Sequence, residues 1–314
     1  MKRFFTYHNT TDFINTIFFV LLAVSLTVWS YRIPSWWQFA LADLLIVTVI
    51  QMLAKFAASR GQRWSLVHGF YMMALIPIAF KQMYLLVPAI HPVDFDAALM
   101  AIDRALFGCD VTVWIHQFAQ PWLTEVLQMA YASYYLLPFI LVVDFFLKKR
   151  MKAFKSVFML VMLGFYLSYI GYVAVPAIGP RFTQHDFANT DADLPGLLVT
   201  SALRVYTNSG ESIPPGTAYP AADVQRDVFP SGHTEVTLLV MLLAFRYRAR
   251  TRWYLTVVGT LLVLATVYLR YHYVIDLIGG AVFAWLTLEV GPIIDRWFVE
   301  WKKRHALPVE NGVE

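Results

Sequence analysis

Long apolar blocks alternate with short polar connections along the chain. Eight of these blocks approach the length of about 20 residues that a bilayer-spanning helix needs. Most of them lack the polar face that a helix of a soluble bundle presents to water. We therefore predict an all-α, polytopic membrane bundle with about eight transmembrane helices. The predicted spans are 13–33, 37–57, 65–88, 121–147, 153–176, 233–246, 252–271 and 273–296.

Two long polar stretches interrupt this pattern. In residues 89–120, the apolar spacing and the Phe107-Gly108 break predict a helix that lies at the membrane interface. Asp103 and Arg104 on that helix are interpreted as a surface pair. Residues 177–232 are rich in Pro, Gly, Asp and Thr and predict a long loop.

The chain shows no sign of a separate soluble domain, so we predict a single membrane domain over 1–314. It divides into N-terminal spans with the interfacial helix (1–120), a catalytic helical core (121–300) and a basic, polar tail (301–314).

The composition supports a membrane protein. The chain is 59% hydrophobic and 15% charged, whereas soluble domains are about 25% charged. Cys109 is the single cysteine, which excludes an intrachain disulfide. A net charge of +4 is weak support for nucleic-acid binding, and membrane topology explains the basic residues better. We expect lipids as partners and no nucleic acid, while the oligomeric state stays open.

The Lys and Arg residues predict the orientation. Five connections that fall on one side of an eight-span bundle hold 18 of the 25 basic residues. Cytoplasmic loops carry such an excess, so both termini are expected to be cytoplasmic. The two long polar stretches then face the periplasm or a lumen, and a bacterial inner membrane is the expected location. The basic turn 246–252 is interpreted as a cytoplasmic loop that touches anionic lipid.

The sequence VFPSGHTEVTLL places a histidine at the start of an apolar run. Ser231 can cap the free amides of a helix start, and Gly232 lets a ligand approach the backbone. Such a helix end attracts an oxyanion, and His233 in the first turn can exchange a proton near neutral pH. The alternative is a loop-to-helix junction with an interfacial histidine.

A second polar group lies in YLRYHYVIDLIGG. His272 and Asp276 are four residues apart and share one helix face. Asp276 can accept a hydrogen bond from one ring nitrogen and leave the other as a nucleophile or base. Arg270 adds a cation at the same membrane level. The alternative is a structural His–Asp pair. Because both motifs border the same face, we predict that they meet and act on phosphorus.

FPSGH followed by HYVID in an apolar context resembles the type 2 phosphatidic acid phosphatase superfamily, especially the branch that includes inositol phosphorylceramide synthases. The motif-bearing half, about 170–290, carries the resemblance, and the segments IDRALFG, YASYY and AIGPRF also look like that branch. The resemblance implies that His272 forms a phosphohistidine, Asp276 orients it and His233 protonates the leaving group. It also implies that Ser231 and Gly232 help to hold the phosphate.

Arg181 matches the arginine of the family's first motif, and the family needs no metal or organic cofactor. Two family cations are absent, since Ala174 and Thr266 stand where a lysine and an arginine are expected. Arg270 is the first candidate substitute. Lys81 is the second, although it could instead extend to the interface.

Glu235, two residues after His233, is a candidate for binding an acceptor hydroxyl, with pairing to a basic neighbour as the alternative. Three functions are compatible with these residues. The first is a membrane lipid phosphatase that cleaves a lipid phosphate or diphosphate. The second is a lipid phosphotransferase that passes the phospho-headgroup to an alcohol through the same intermediate. The third is a non-enzymatic transporter, because buried charges also mark substrate paths.

Overall fold

The computed structural model describes residues 3–59 and 67–309, and these residues are helical with no β-strand. Its helices of eight residues or more are numbered here in chain order. They are α1 (Thr10–Val28), α2 (Trp36–Ser59), α3 (Met72–Ile90), α4 (Asp96–Phe107), α5 (Pro121–Ala132), α6 (Leu136–Leu147), α7 (Met151–Ala174), α8 (Thr200–Gly210), α9 (Gly232–Arg246), α10 (Arg252–Tyr268) and α11 (Val274–Arg304).

Helix is present in each of the eight predicted spans, but the count of eight crossings is not confirmed. Within the described residues, five helices are long and apolar enough to cross a membrane: α1, α2, the segment Val67–Ile90 that contains α3, α7 and α11. The pair α5 and α6 adds a sixth crossing if its 55° bend is counted as one broken span. Helix α9 has 15 residues and α10 has 17, about 22 and 25 Å at 1.5 Å per residue.

Helix α7 lies at the centre of the bundle. It packs against α3, α6, α9 and α11, and most of its residues are buried. Its apolar residues therefore surround the helix instead of forming one stripe, as expected for a helix that is enclosed on all sides. Helix α2 packs mainly against α1 and exposes many apolar side chains, so its outer face suits lipid.

The helix predicted within 89–120 is α4, which ends at Gly108 in a left-handed conformation (φ 72°). The Phe-Gly break is therefore confirmed as a helix end. The predicted surface pair is wrong. Arg104 instead binds Asp110 at 2.7 Å, and Asp103 is buried, accepting hydrogen bonds from the amides of Val274 and Ile275 at 2.8 Å. Asp103 thus satisfies free amides at the start of α11.

The predicted loop 177–232 contains the helix α8 and the short turns Pro180–Thr183 and Pro220–Asp223. Helix α8 packs on α5, which fixes the loop to the bundle. Lys81 on α3 also holds it, donating to the carbonyl oxygen of Gly210 at 2.6 Å and lying 3.2 Å from the hydroxyl of Ser212. The loop consequently covers the end of the bundle where both histidine motifs lie.

Candidate active site

The first motif forms the start of α9 as its sequence predicts. Ser231 is the N-cap, and its hydroxyl accepts a hydrogen bond from the amide of Thr234 at 3.2 Å. Gly232 leaves room for Tyr172, because a Cβ atom there would lie 2.3 Å from the hydroxyl oxygen of Tyr172. The glycine thus lets α7 approach the turn that carries His233.

The second motif forms the loop before α11 and its first turn. The Nδ1 atom of His272 lies 2.9 Å from the carbonyl oxygen of Val228 and 3.5 Å from a carboxylate oxygen of Asp276. The same carboxylate oxygen accepts a hydrogen bond from the amide of Tyr273 at 2.7 Å. The nearer partner of Nδ1 is therefore a backbone carbonyl, which fixes the proton on Nδ1. This leaves Nε2 with a free lone pair.

Both motifs meet at one end of the bundle. The ring centroids of His233 and His272 are 5.6 Å apart, and the amide of Ser231 donates to the carbonyl oxygen of Asp276 at 2.9 Å. Gly280 permits this contact, since a Cβ atom there would lie 2.5 Å from the carbonyl oxygen of Ser231. The histidines, 39 positions apart in sequence, are therefore brought together at one end of the bundle.

Helix α4 holds the second motif and the Arg181 loop in place. Asp96 accepts hydrogen bonds from the amides of Ile178 and Gly179 at 3.0 and 2.8 Å, and from the hydroxyl of Tyr273 at 2.8 Å. Together with Asp103, it ties both loops to one helix. Side-chain carboxylates that accept several amides are strong anchors, so α4 acts as a support for the site.

Arg181 lies beside the two histidines. Together with His233 and His272, it lines a narrow cavity of about 10 Å³ whose other walls are Tyr131, Glu211, Asp227, Val228 and Tyr271. The Arg181 guanidinium stacks over Tyr271 at 4.8 Å and donates to Glu211 and to Asn208. The cation that the family resemblance selects is thus present, and a carboxylate of the covering loop is its partner.

A larger cavity of about 600 Å³ adjoins His233. Its deep walls are apolar side chains of α3, α6 and α7, including Ile76, Val142 and Met162. Its other end is polar and contains Lys81 with Glu211 and Asp227. The second candidate cation therefore belongs to the same site as His233, although its ammonium group binds the loop at Gly210 and Ser212.

Arg270 and Glu235 line neither of the two cavities. Arg270 is buried and binds Asp193 at 2.8 Å and the Nδ1 atom of His116 at 3.1 Å. Glu235 is buried between α7, α9 and α11, where it accepts hydrogen bonds from the hydroxyls of Ser168 and Thr287. The structure thus brings Arg181 to both histidines and Lys81 to the cavity beside His233, and it places Arg270 and Glu235 outside both cavities.

Sequence reasoning missed several residues that surround the histidines. The ring of Tyr131 stacks between His233 and Tyr271, with centroid distances of 4.5 and 4.3 Å, and Tyr134 donates to the carbonyl oxygen of Gly232. The YASYY segment, which contains both tyrosines, could have identified them from the sequence. Nothing in the sequence distinguishes Glu211 and Asp227, because acidic residues are common throughout the loop.

Burial controls the charge of the groups at the site that lie outside the spans. It lowers the pKa of His272 to about 3, against the opposing effect of the Val228 carbonyl. His272 is consequently neutral at neutral pH, as a nucleophile must be. Burial also raises the pKa of Asp227, and the nearby Glu211 carboxylate raises it further, while Arg181 lowers it.

A family model described as the PAP2 superfamily matches residues 97–290, more than half of the 314-residue chain. The matched region includes both histidine motifs, Arg181 and most of α4. No curated protein and no solved structure matches the chain. The match confirms the superfamily to which the motifs pointed and does not separate its branches.

Proposed function

The chain belongs to the PAP2 superfamily, and from this premise we propose that it is a membrane lipid phosphatase acting through a phosphohistidine. Membership supports a lipid enzyme of the phosphatase or phosphotransferase type. The observation that carries the proposal is the 5.6 Å separation of the His233 and His272 rings around a cavity that Arg181 also lines. The substrate is a lipid phosphate or diphosphate.

In the proposed first step, the Nε2 atom of His272 attacks phosphorus. An N–P bond forms, the P–O bond to the lipid breaks, and His233 donates its proton to the departing lipid oxygen. Val228 and Asp276 hold the ring of His272 through its Nδ1 side. Arg181 stabilises the charge on the phosphoryl oxygens.

In the second step, water attacks phosphorus and gives its proton to His233. The N–P bond breaks, and phosphate leaves with the neutral His272 restored. We place the site at the non-cytoplasmic face, with both termini in the cytoplasm, because the histidine end of the bundle lies opposite the basic connections.

The test is phosphate release from lipid phosphates by purified protein. His272→Ala should abolish release, because the proposed N–P bond forms at its Nε2 atom. His305→Ala is the matched control, since His305 contacts the carbonyl oxygen of Trp301 near the other end of α11 and should retain full activity. Turnover by His272→Ala at the wild-type rate would refute the nucleophile.

A lipid phosphotransferase is the second candidate, and the polar end of the 600 Å³ cavity favours it. That end places Lys81, Glu211 and Asp227 beside His233, where an alcohol could replace water in the second step. Carboxylates there can accept hydrogen bonds from acceptor hydroxyls. Radiolabelled phospholipid supplied with inositol, a sugar or a ceramide separates the two functions: a new labelled lipid indicates transfer, and free phosphate indicates hydrolysis.

A further inference from the structure

The three helices that carry the histidine site also enclose a cavity at their opposite ends. Helices α7, α9 and α11 pack on one another. The cavity that they enclose at these opposite ends has a volume of about 780 Å³. It lies between the start of α7, the end of α9 and the second half of α11. From Asp276 to Arg296 the distance along α11 is roughly 30 Å, at 1.5 Å per residue. The cavity is therefore separate from the catalytic one.

Cations from all three helices line this opposite cavity: Lys152 from α7, Arg246 from α9, and Arg296 and Lys303 from α11. All four are exposed. None of them has a hydrogen bond or ion pair to a described residue, although Arg246 lies over the ring of Tyr247 at 5.9 Å. Their charge is thus available to a ligand.

Other basic residues at this end of the molecule are already partnered. Lys148 pairs with Asp144 at 2.6 Å, and Lys302 donates to the carbonyl oxygen of His8 at 2.9 Å. Some cations at this end are therefore held by partners, whereas the four that share the cavity lining have no hydrogen bond or ion pair to a described residue.

The acidic side chains of the cavity do not balance its cations. Asp295 accepts a hydrogen bond from the hydroxyl of Thr10, and Glu300 is the other carboxylate in the lining. Four cations therefore face two carboxylates, one of which already has a hydrogen-bond donor. Such a site attracts an anion, and guanidinium groups match the oxygens of phosphate in particular.

The remaining walls are suited to an amphiphilic ligand. Met159, Leu160, Pro292 and Val299 form apolar surface, while the hydroxyls of Ser156 and Tyr247 lie 2.7 Å apart at the polar side. An ionic headgroup attached to an apolar portion would satisfy both parts of the lining.

We propose that this cavity binds a phosphate-bearing anion, with Arg246 of α9 and Arg296 of α11 as its principal contacts. The phosphate can come from a lipid headgroup or from a soluble phosphate. The site is independent of the catalytic proposal, because it uses none of the residues around the histidines.

The test measures binding of phosphatidylglycerol to the full chain in detergent by native mass spectrometry. The double variant Arg246→Gln/Arg296→Gln should bind roughly 30-fold more weakly, since each of two basic residues near an anionic lipid contributes about 1 kcal/mol. The control is Arg250→Gln/Arg304→Gln, which removes the same charge from exposed positions outside the cavity and should bind like the wild type.

The single variants Arg246→Gln and Arg296→Gln test whether one ligand contacts both side chains. If one headgroup bridges both arginines, the two single losses will not sum to the loss in the double variant. The Tm of every variant should stay near the wild-type value, which verifies that the protein is folded without relying on the catalytic proposal.

A competition experiment distinguishes the two sources of phosphate. Displacement of phosphatidylglycerol by inorganic pyrophosphate, with the same sensitivity to Arg246 and Arg296, supports the site with a soluble ligand. Lipid binding that resists pyrophosphate but is lost in the double variant supports a lipid headgroup. Equal weakening in the control variant, or no binding of either probe to the wild type, overturns the proposal.

Discussion

The ionisable side chains at the two ends of α7, α9 and α11 differ in burial and in hydrogen bonding. At the histidine end, Arg181 and His272 are buried and bind Glu211 and the Val228 carbonyl. At the other end, Lys152, Arg246 and Arg296 are exposed and have no side-chain hydrogen bond or ion pair within the described residues. The same helices thus support one fixed polar site and one hydrated basic cavity.

The difference follows from the cost of burial. A buried polar group is stable only when its hydrogen bonds are satisfied, and satisfying them fixes its position. Fixed positions are what catalysis needs, because the groups do not have to reorganise during reaction. An exposed cation keeps its water and can exchange it for an anion, which suits reversible binding.

Among the substitutions that compare the two ends, the largest effect is expected from removing a cation at the histidine end. Arg181→Gln should lower kcat/KM for phosphate release by about 100- to 1,000-fold, the loss typical of removing one group that stabilises transition-state charge. Arg296→Gln, at the opposite end, should leave kcat/KM unchanged. Arg270→Gln should have a smaller effect than Arg181→Gln, because Arg270 binds Asp193 and His116. An equal loss in Arg270→Gln would assign the phosphate clamp to Arg270.

The next largest loss of activity is expected at Gly280 of α11, with Gly291 on the same helix as its control. Gly280→Ala places a Cβ atom 2.5 Å from the backbone of Ser231 and should move His233 away from His272. A displacement near 1 Å can cost about 100-fold in rate. Gly291→Ala meets the end of the flexible Leu160 side chain, so its kcat should change much less. Similar kcat values for the two variants would show that the Ser231 contact does not position the histidines.

The pH dependence of stability at Asp227 measures whether burial at the histidine end costs folding free energy. Its pKa is raised to about 8 from an ordinary value of about 3.9, so the folded state binds the proton more tightly than the unfolded state. Stability is therefore lost as the pH rises from about 4 to about 8.

Asp227→Asn removes that loss and should raise the Tm at pH 9, by roughly 2–4 °C for each kcal/mol of stability recovered. Near pH 3, where both side chains are neutral, the two proteins should have the same Tm. Thermal unfolding across the pH range measures both values. A Tm difference that does not vary with pH would contradict a raised pKa.

The smallest effect is expected at Glu235, between the two ends. Glu235→Gln keeps an oxygen that can accept from one hydroxyl and gains an NH2 group that can donate to the other. Phosphate release should change by less than about threefold, since Ser168 and Thr287 remain bound. A changed ratio of alcohol transfer to hydrolysis would instead support the acceptor role that the sequence suggests.

Apolar block lengths were sufficient to predict helices in all eight segments, because hydrophobic length is a local property. They predicted the short span 233–246 that corresponds to α9, but not the bend between α5 and α6 or the end of α10 at Tyr268. The bend and the end of α10 depend on how neighbouring helices pack. The motifs predicted Ser231 as a helix cap for the same local reason, since a cap contacts its own first turn.

The sequence by itself determined the helical membrane character, the superfamily motifs and the residue types available for phosphate chemistry, all of which reside in short contiguous segments. Only the tertiary structure decided that Arg181 lies beside both histidines, that Lys81 lines the cavity beside His233, and that Arg270 and Glu235 line neither cavity. It also made Asp96 and Asp103 supports of the site. These assignments depend on contacts between residues tens of positions or more apart, and nothing in the local pattern encodes which distant groups will satisfy a buried charge.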